Sequence, residues 1–434
     1  MKNKIVYIAL SIDILHHGHI NLINHAKKYG TVIAGLLTDK AIANQKRIPL
    51  LNFTQRKKIL ENINGISKII EQKEWDYSKN ILKLKPNYMV HGDDWKFGND
   101  KELRSRTIKS LKKVGAKLIE IPHTKDISSS AIQDRIYQEG IVPSNRQSLL
   151  KRLIKVKKLS RFLEAHSPLS SIIAEKTFYI NSIGKKIEFD GFWSSSLTDS
   201  TLKGKPDIEV LDINQRLANI NDIFDVTTKP LIMDIDTGGK IEHLEINLKT
   251  IDRLGISAVI MEDKKGLKKN SLFGNKVKQE QENIKEFSKK ISACKKISSN
   301  NLMIIARIES FILGKTFSDA FKRAEKYVEA GADGIMIHSK DKSPKKILKF
   351  AEKFKKKFSE IPLIAVPSSY NSIKEYQLEN AGFNIVIYAN HMLRASYPAM
   401  QNVALEILKN GRSFESDKSL LSIKNILELI PGTK

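Results

Sequence analysis

The sequence predicts an α/β chain of two units, a doubly wound parallel sheet followed by a (β/α)8 barrel. Three observations predict it. A chain of 434 residues exceeds the roughly 250 to 300 residues that one core usually organises. The first 140 residues alternate short β-rich runs with helical ones. Beyond residue 158, eight apolar runs recur with helical segments between them, and nearly all end in a polar or ionisable residue.

In the first unit the expected order is strand "IVYIAL", a helix from about His17 to Lys28, strand "TVIAGLLT" and a helix starting near Thr54. Strands "YMVHGDD" and "AKLIEIP" follow, and a helix opening at "SSSAIQDRI" closes the unit. Turn residues cluster in "GIVPSNRQ", and the next stretch, "SLLKRLIKVKKLSRF", reads as a basic amphipathic helix. The expected limits are therefore 1–140 for the first domain, 141–158 for a linker with its basic helix and 159–434 for the barrel. The barrel strands are "RFLEAH", "FDGFWSS", "LIMDID", "SAVIMED", "LMIIARIES", "GIMIHS", "PLIAVPSS" and "IVIYAN".

A net charge of +26 raises nucleic acid as a partner. The lysines are spread along the chain with no basic tail and no recognisable nucleic-acid module, so the expectation is none. Such a field also attracts small anions. The one cysteine, Cys294, excludes an intrachain disulfide and a multi-cysteine zinc site and fits a reducing, cytoplasmic setting. Asp13 interrupts the apolar N-terminus, and no run approaches the roughly 20 residues of a membrane span.

Four barrel strand ends carry anion-handling chemistry. Asp234 and Asp236, two apart in "MDIDTGG", can face one side of a strand, and Glu262 joins them from the next strand. Hard oxygen donors of this kind suit Mg2+. Arg307 in "ARIES" and His338 in "MIHS" can bind phosphate or carboxylate oxygens. Singly, each acid reads equally as a solvated loop residue; their convergence on one barrel mouth is what points to a site.

Together with "EAH", "WSSSLTDSTLKGKPD", "EDKKGLKKNSL", "GADGIMIHSK", "VPSSY" and "NHMLRA", these residues resemble the phosphoenolpyruvate mutase branch of the isocitrate lyase superfamily, from about Arg161 to about Ala404. The resemblance implies interconversion of phosphoenolpyruvate and phosphonopyruvate. It implies that Asp236 holds Mg2+ largely through water, with Asp234 and Glu262 in the same polar shell. Trp193, Ser195, Leu197 and Leu272 would contact substrate, Ser195 and Leu197 through backbone amides. Asp207 would lie by the phosphoryl group, with Arg307 and His338 bracing its oxygens. The loop hinged at Gly266 would close over the mouth and bring Lys268, Asn270 and Ser271 inward, excluding water. Mutases of this branch resemble "KxNS" in the loop, whereas the related phosphonopyruvate hydrolases tend to carry Thr in place of that Asn. Relative to shorter mutases the chain carries a longer insert, "FYINSIGKKIE".

In the first domain, "DILHHGHINLI" places His16 and His19 at a strand-to-helix turn, where Gly18 lets backbone approach a phosphate. Alone, such a pair reads equally as helix caps. With "SIDILHHGH", "GLLTDK", Lys46 and Arg47, "HGDDW" and "HTKDISSS", the first 140 residues resemble glycerol-3-phosphate cytidylyltransferases, Rossmann-like nucleotidyltransferases that join CTP to a phosphate monoester. By that resemblance His16 and His19 stabilise the transition state, while Asp13, Gly18, Lys46, Thr124 and Ser128 serve the nucleotide. His123 and Asn64 stand where those enzymes carry arginine.

The expected protein is thus a mutase fused to a transferase of CMP onto a phosphonate or phosphate acceptor. The alternatives are a phosphonopyruvate hydrolase with the same fusion, or a mutase with a non-catalytic nucleotide-binding module. A homo-oligomer, dimer or tetramer, is implied, with the C-terminal helix in "SLLSIKNILELI" exchanged between barrels.

Overall fold

The computed structural model describes residues 4–96, 100–122, 124, 143–182 and 184–430, and the backbone alone of 274 and 275. The first domain is a parallel sheet of β1 (Ile5–Leu10), β2 (Thr31–Leu37), β3 (Lys68–Gln72), β4 (Tyr88–Gly92) and β5 (Lys117–Ile121), in the order β3-β2-β1-β4-β5. The four strands and the first two helices expected there are present, the first helix running His17–Lys27 and the next Phe53–Glu61. Strand β3 was not anticipated. It is an edge strand in which only Gln72 is buried, so "KIIEQ" lacks the apolar run that a central strand shows. The helix expected at "SSSAIQDRI" lies outside the described residues.

All eight barrel strands form where their runs predicted. They are β6 (Ser160–Glu164), then, beyond a hairpin of β7 (Phe178–Ile180) and β8 (Lys186–Glu188), β9 (Gly191–Ser194), β10 (Leu231–Asp234) and β11 (Ala258–Glu262). A second short ribbon, β12 (Lys264–Lys265) with β13 (Glu280–Gln281), precedes β14 (Met303–Ile308), β15 (Gly334–Ile337), β16 (Leu363–Ala365) and β17 (Ile385–Tyr388). The closed order β10-β11-β14-β15-β16-β17-β6-β9 is parallel throughout. Its interior is filled by Phe162, Trp193, Ile232, Ile260, Ile305, Met336, Ile364 and Ile387, among others.

The expected basic helix is displaced toward the N-terminus. It runs Pro143–Val156, because Ser160 onward pairs with β17 as strand. It is also more than a linker. Leu150 belongs to the barrel's interior cluster, and Ser257, just before β11, donates to the Arg146 carbonyl at 3.1 Å, which puts the helix across the bottom of the barrel. Its other face holds the first domain. Leu149 and Leu153 pack on Ala43 and Ile48, and Arg152 donates to the carbonyls of Pro49 and Leu50 at 2.8 and 2.9 Å.

Candidate active site

Strand periodicity aims the site. Ile232, Ile260, Ile305 and Met336 point into the barrel, so the residues two further on, Asp234, Glu262, Arg307 and His338, point the same way at the open end. All four are buried. Asp236 follows in the left-handed region at φ 56, a conformation that an aspartate tolerates better than most residues, and its N–H donates to Asp234 Oδ1 at 3.0 Å. Arg216, from the helix Ile213–Phe224, lies 3.7 Å from Asp236 and bonds Asp199 at 2.8 Å.

The loop between β12 and β13 closes over this mouth. Its base is tied down by Gln281, which donates to Asp263 at 3.0 and 2.9 Å, and Gly266 turns the chain at φ 77, a region that favours glycine. Lys268 and Ser271 are turned inward and buried, while Leu267 and Phe273 stay exposed. The Lys268 ammonium donates to Ser196 at 2.6 Å, to Asp207 Oδ1 at 2.7 Å and to Asp236. Asn270 Nδ2 donates to the other oxygen of Asp207 at 2.8 Å. Ser271 donates to Glu309 at 2.6 Å and accepts from Arg307 at 2.8 Å and Lys264 at 2.6 Å. The cavity beneath the loop holds about 60 Å3 and is lined by Trp193, Ser195, Leu197, Asp207, Asp234, Lys268, Asn270, Ser271, Leu272, Arg307 and His338, among others.

Electrostatics follow from this packing. Burial works against the charge on Lys268, and Asp236, Asp234, Glu262 and Asp207 more than offset it, so its pKa stands above the ordinary lysine value. Arg307 is likewise kept charged against burial by Glu309, Glu262 and Asp234. Burial lowers the His338 pKa, and Arg307 lowers it further; its Nδ1 lies 3.0 Å from Arg307 and 2.9 Å from Glu309.

Among the described residues no three acidic, His or Cys side chains converge as a ready metal centre. Asp236, the residue expected to hold the cation, meets the Lys268 ammonium while the loop is closed. The donor set still fits a divalent ion. Glu262 is buried, neither of its oxygens accepts a hydrogen bond, and burial pushes its pKa up to about 7 against the pull of Arg307 and Lys264. An oxygen-only trio in which Glu262 is held by ion pairs alone, 3.1 Å from Arg307 and 3.6 Å from Lys264, is chemistry that a hard cation completes.

In the first domain His16 caps the helix His17–Lys27, accepting from Gly18 N at 3.2 Å, while the His16 N–H donates to His19 Nδ1 at 3.3 Å. The two rings lie 4.0 Å apart. Both histidines thus cap the helix and still stand together at its start. Burial, then His16 and Lys46, lowers the His19 pKa to about 4. Thr124 accepts from Asn21 at 3.3 Å beside this turn. Asp13 Oδ1 accepts from Leu51 N at 3.0 Å, so at least one oxygen of that predicted nucleotide residue is engaged by the chain itself. Lys46 reaches over the Trp75 ring at 5.4 Å. Ser128 and His123 lie outside the described residues.

Four participants were not singled out from the sequence. Glu309 ties together Arg307, His338 and Ser271; it stands two beyond Arg307 in "ARIES", and that spacing was the available signal. Ser196 sat unremarked in "WSSSL", and Lys264 in the lysine-rich loop. Arg216 had no local signal, because it reaches the site from a helix.

A parallel eight-stranded barrel with acids, an arginine and a histidine at its strand ends, covered by a loop that latches onto an aspartate, defines a barrel protein built to enclose a small anion. The family described as phosphoenolpyruvate phosphomutase matches residues 150–408, and the chain belongs to that family. A cytidylyltransferase-like family matches residues 11–135. The phosphoenolpyruvate phosphomutase of Tetrahymena pyriformis is 34% identical over 288 residues, 66% of this chain and 91% of the relative. The phosphonopyruvate hydrolase of Variovorax sp. (strain Pal2) is 33% identical over 287 residues, 65% of this chain and 94% of the relative. The glycerol-3-phosphate cytidylyltransferase of Bacillus subtilis (strain 168) is 29% identical over 138 residues, 31% of this chain and 98% of the relative. Among solved structures, a phosphoenolpyruvate phosphomutase from Streptomyces platensis subsp. rosaceus shares 32% identity over 65% of this chain and 94% of its own, with a TM-score of 0.60. A phosphonopyruvate hydrolase in complex with oxalate and Mg2+ shares 32% identity over the same fractions, with a TM-score of 0.57.

Proposed function

We propose that the barrel, residues 159–434, interconverts phosphoenolpyruvate and phosphonopyruvate, and that residues 1–140 transfer CMP from CTP to a phosphonate or phosphate acceptor. Mutase and hydrolase relatives are almost equally similar in sequence, so identity does not choose between them. The observation that carries the choice is Asn270, whose amide holds Asp207 while Lys268 holds the same carboxylate from its other oxygen.

In the forward direction the P–O bond of phosphoenolpyruvate breaks and the phosphoryl group moves to C3 of the same enolate, so no other reactant enters. Such transfers depend on positioning and charge stabilisation in a dry site. Arg307 and the neutral His338 hold the phosphoryl oxygens, Trp193, whose buried indole N–H has no acceptor among the described residues, turns toward substrate, and Ser195 and Leu197 offer backbone amides. Lys268, Asn270 and Ser271 close the loop and keep water from the phosphoryl group. Asp234, Asp236 and Glu262 would hold Mg2+, which when bound supplies positive charge toward the enolate and carboxylate oxygens. Lys268 and Ser271 of the loop line the cavity and bond across it, so opening of the loop widens the way in for substrate.

For the first domain, His16 and His19 support charge that develops as an acceptor oxygen attacks the α-phosphate and pyrophosphate leaves. Gly18, Lys46, Thr124 and Ser128 would position the triphosphate. A homo-oligomer is also proposed. The helix His391–Asn410 buries none of its residues, and Leu408, Phe414 and Ile423 beyond the barrel are largely exposed, as an exchanged C-terminal segment would leave them in one isolated chain. Among the described residues no helix is long and apolar enough to cross a membrane; we place the protein in the cytoplasm, where its single buried Cys294 stays reduced.

The test is phosphorus NMR of the purified protein with phosphonopyruvate and Mg2+. Phosphoenolpyruvate as the first product supports the mutase; pyruvate with inorganic phosphate as first products means a hydrolase.

A further inference from the structure

The insert "FYINSIGKKIE", which neither proposed reaction uses, forms the β7–β8 hairpin, with Tyr179 opposite Ile187 and the turn closed by Lys185 N donating to Asn181 Oδ1 at 2.8 Å. It stands where the two domains meet. Between it, the chain just below β6 and the first domain's segment 40–46 lies a cavity of about 510 Å3, within the range of small-molecule pockets.

Seven cationic side chains line this cavity against two carboxylates. Four of the seven are matched: Lys157 by Asp190, Lys158 by Glu379 at 3.5 Å, Arg161 by Glu375 at 2.6 Å and Lys186 by Glu188 at 3.0 Å. Lys40 and Lys185 have no carboxylate within ion-pair distance among the described residues, whereas the Lys46 ammonium turns over Trp75 toward the field of Asp13 and Asp100, so the cavity keeps about two charges positive. Neighbouring groups register the excess. Burial, then Lys157 and Arg161, lowers the Lys185 pKa; burial opposes ionisation of Glu188, yet Lys229, Lys186 and Arg47 hold its pKa below the usual carboxylate value. Nothing aromatic lines the cavity, so it offers no platform on which a base could stack.

We propose that this interdomain cavity is a binding site for a small, multiply charged phosphate- or phosphonate-bearing molecule, held by Lys185 and Lys186 of the hairpin and Lys40 of the first domain. Like charges gathered in one concave space repel, and a multivalent anion offsets that repulsion at several lysines at once. The ligand then contacts both domains. Lys46 forms part of this wall and also acts electrostatically on His19, so the cavity adjoins the proposed nucleotide site.

The test is calorimetric titration of the full-length protein with inorganic pyrophosphate. Besides any event that an H16A variant loses, which belongs to the proposed transferase site, wild type is expected to show one binding event per chain that a K185Q/K186Q double variant loses or weakens by about tenfold or more, with phosphonopyruvate turnover and melting temperature unchanged. K40Q, on the opposite wall, is expected to weaken the same event. Prior saturation with CTP or with phosphonoacetate distinguishes the source: suppression by CTP makes the anion a nucleotide's phosphates, and suppression by phosphonoacetate makes it a free phosphonate. If wild type shows no pyrophosphate binding, or the variants keep wild-type stoichiometry and affinity, the proposal is wrong.

Discussion

Asn270 Nδ2 and Asp207 Oδ2 lie 2.8 Å apart, joining two loops that are 63 residues apart in the chain. The contact fixes the lid and orients the carboxylate nearest the proposed phosphoryl position. Hydrogen bonds to a charged group contribute about 1.5 to 3 kcal/mol.

Replacing Asn270 by Thr shortens the side chain and removes that amide. Phosphoryl transfer to carbon should fall roughly 10- to 150-fold, and the share of pyruvate and phosphate among the products should rise as water gains access. Product ratios by phosphorus NMR check both. An N270T protein with wild-type rate and wild-type products would remove the lid from the mechanism.

Arg307 stands among Glu309 at 2.6 Å, Glu262 at 3.1 Å and Ser271 at 2.8 Å, all buried. Arg307→Met leaves those carboxylates without their main cation. It should destabilise the barrel by about 3 to 5 kcal/mol as well as abolish turnover, and urea unfolding followed by far-UV circular dichroism measures the first effect. Unchanged stability would show that the acids protonate or find water at little cost.

The two proposed activities should separate. His16→Ala is expected to reduce CTP-dependent pyrophosphate release by at least about 10²-fold, while phosphonopyruvate turnover stays at the wild-type level. If wild type releases no pyrophosphate with any phosphonate or phosphate acceptor tried, the first domain is a binding module.

His19 makes stability depend on pH. Folded, it titrates near 4, against 6.5 for an ordinary histidine, chiefly through burial. Between those values the unfolded chain binds the proton and the folded chain does not, so the contribution is complete above pH 6.5 and is lost as pH falls toward 4. Melting temperatures of wild type and His19→Asn across that window should converge as pH drops; parallel curves would contradict the assignment.

Removing residues 412–434 should leave the barrel folded but shift the assembly toward monomer, as read by light scattering. A wild-type chain that is already monomeric would rule out the exchanged segment.

The barrel was legible because each of its strands is covered on both faces, which leaves continuous apolar runs such as "SAVIM" and "LMIIA" in the sequence. Strand β3 was not, since an edge strand needs no such run. Site residues on strand ends were readable by the same logic: period-two spacing carries Asp234, Glu262, Arg307 and His338 inward from the apolar residues before them. Glu309 obeys that spacing and was passed over, whereas Arg216 approaches from a helix and left no mark.

What the sequence determined by itself was the two-domain α/β architecture, the inward register of the strand ends and the residue types able to handle phosphate, because alternation and burial are local properties of a strand. Tertiary structure alone decided which charges meet. That the Lys268 ammonium lies on Asp207 and Asp236, that Glu262 is left without a hydrogen bond, and that the hairpin lysines face the first domain across one cavity depend on loop closure and domain packing. Coulomb energies follow distances through space and the local dielectric, and neither is written in the spacing of residues along the chain.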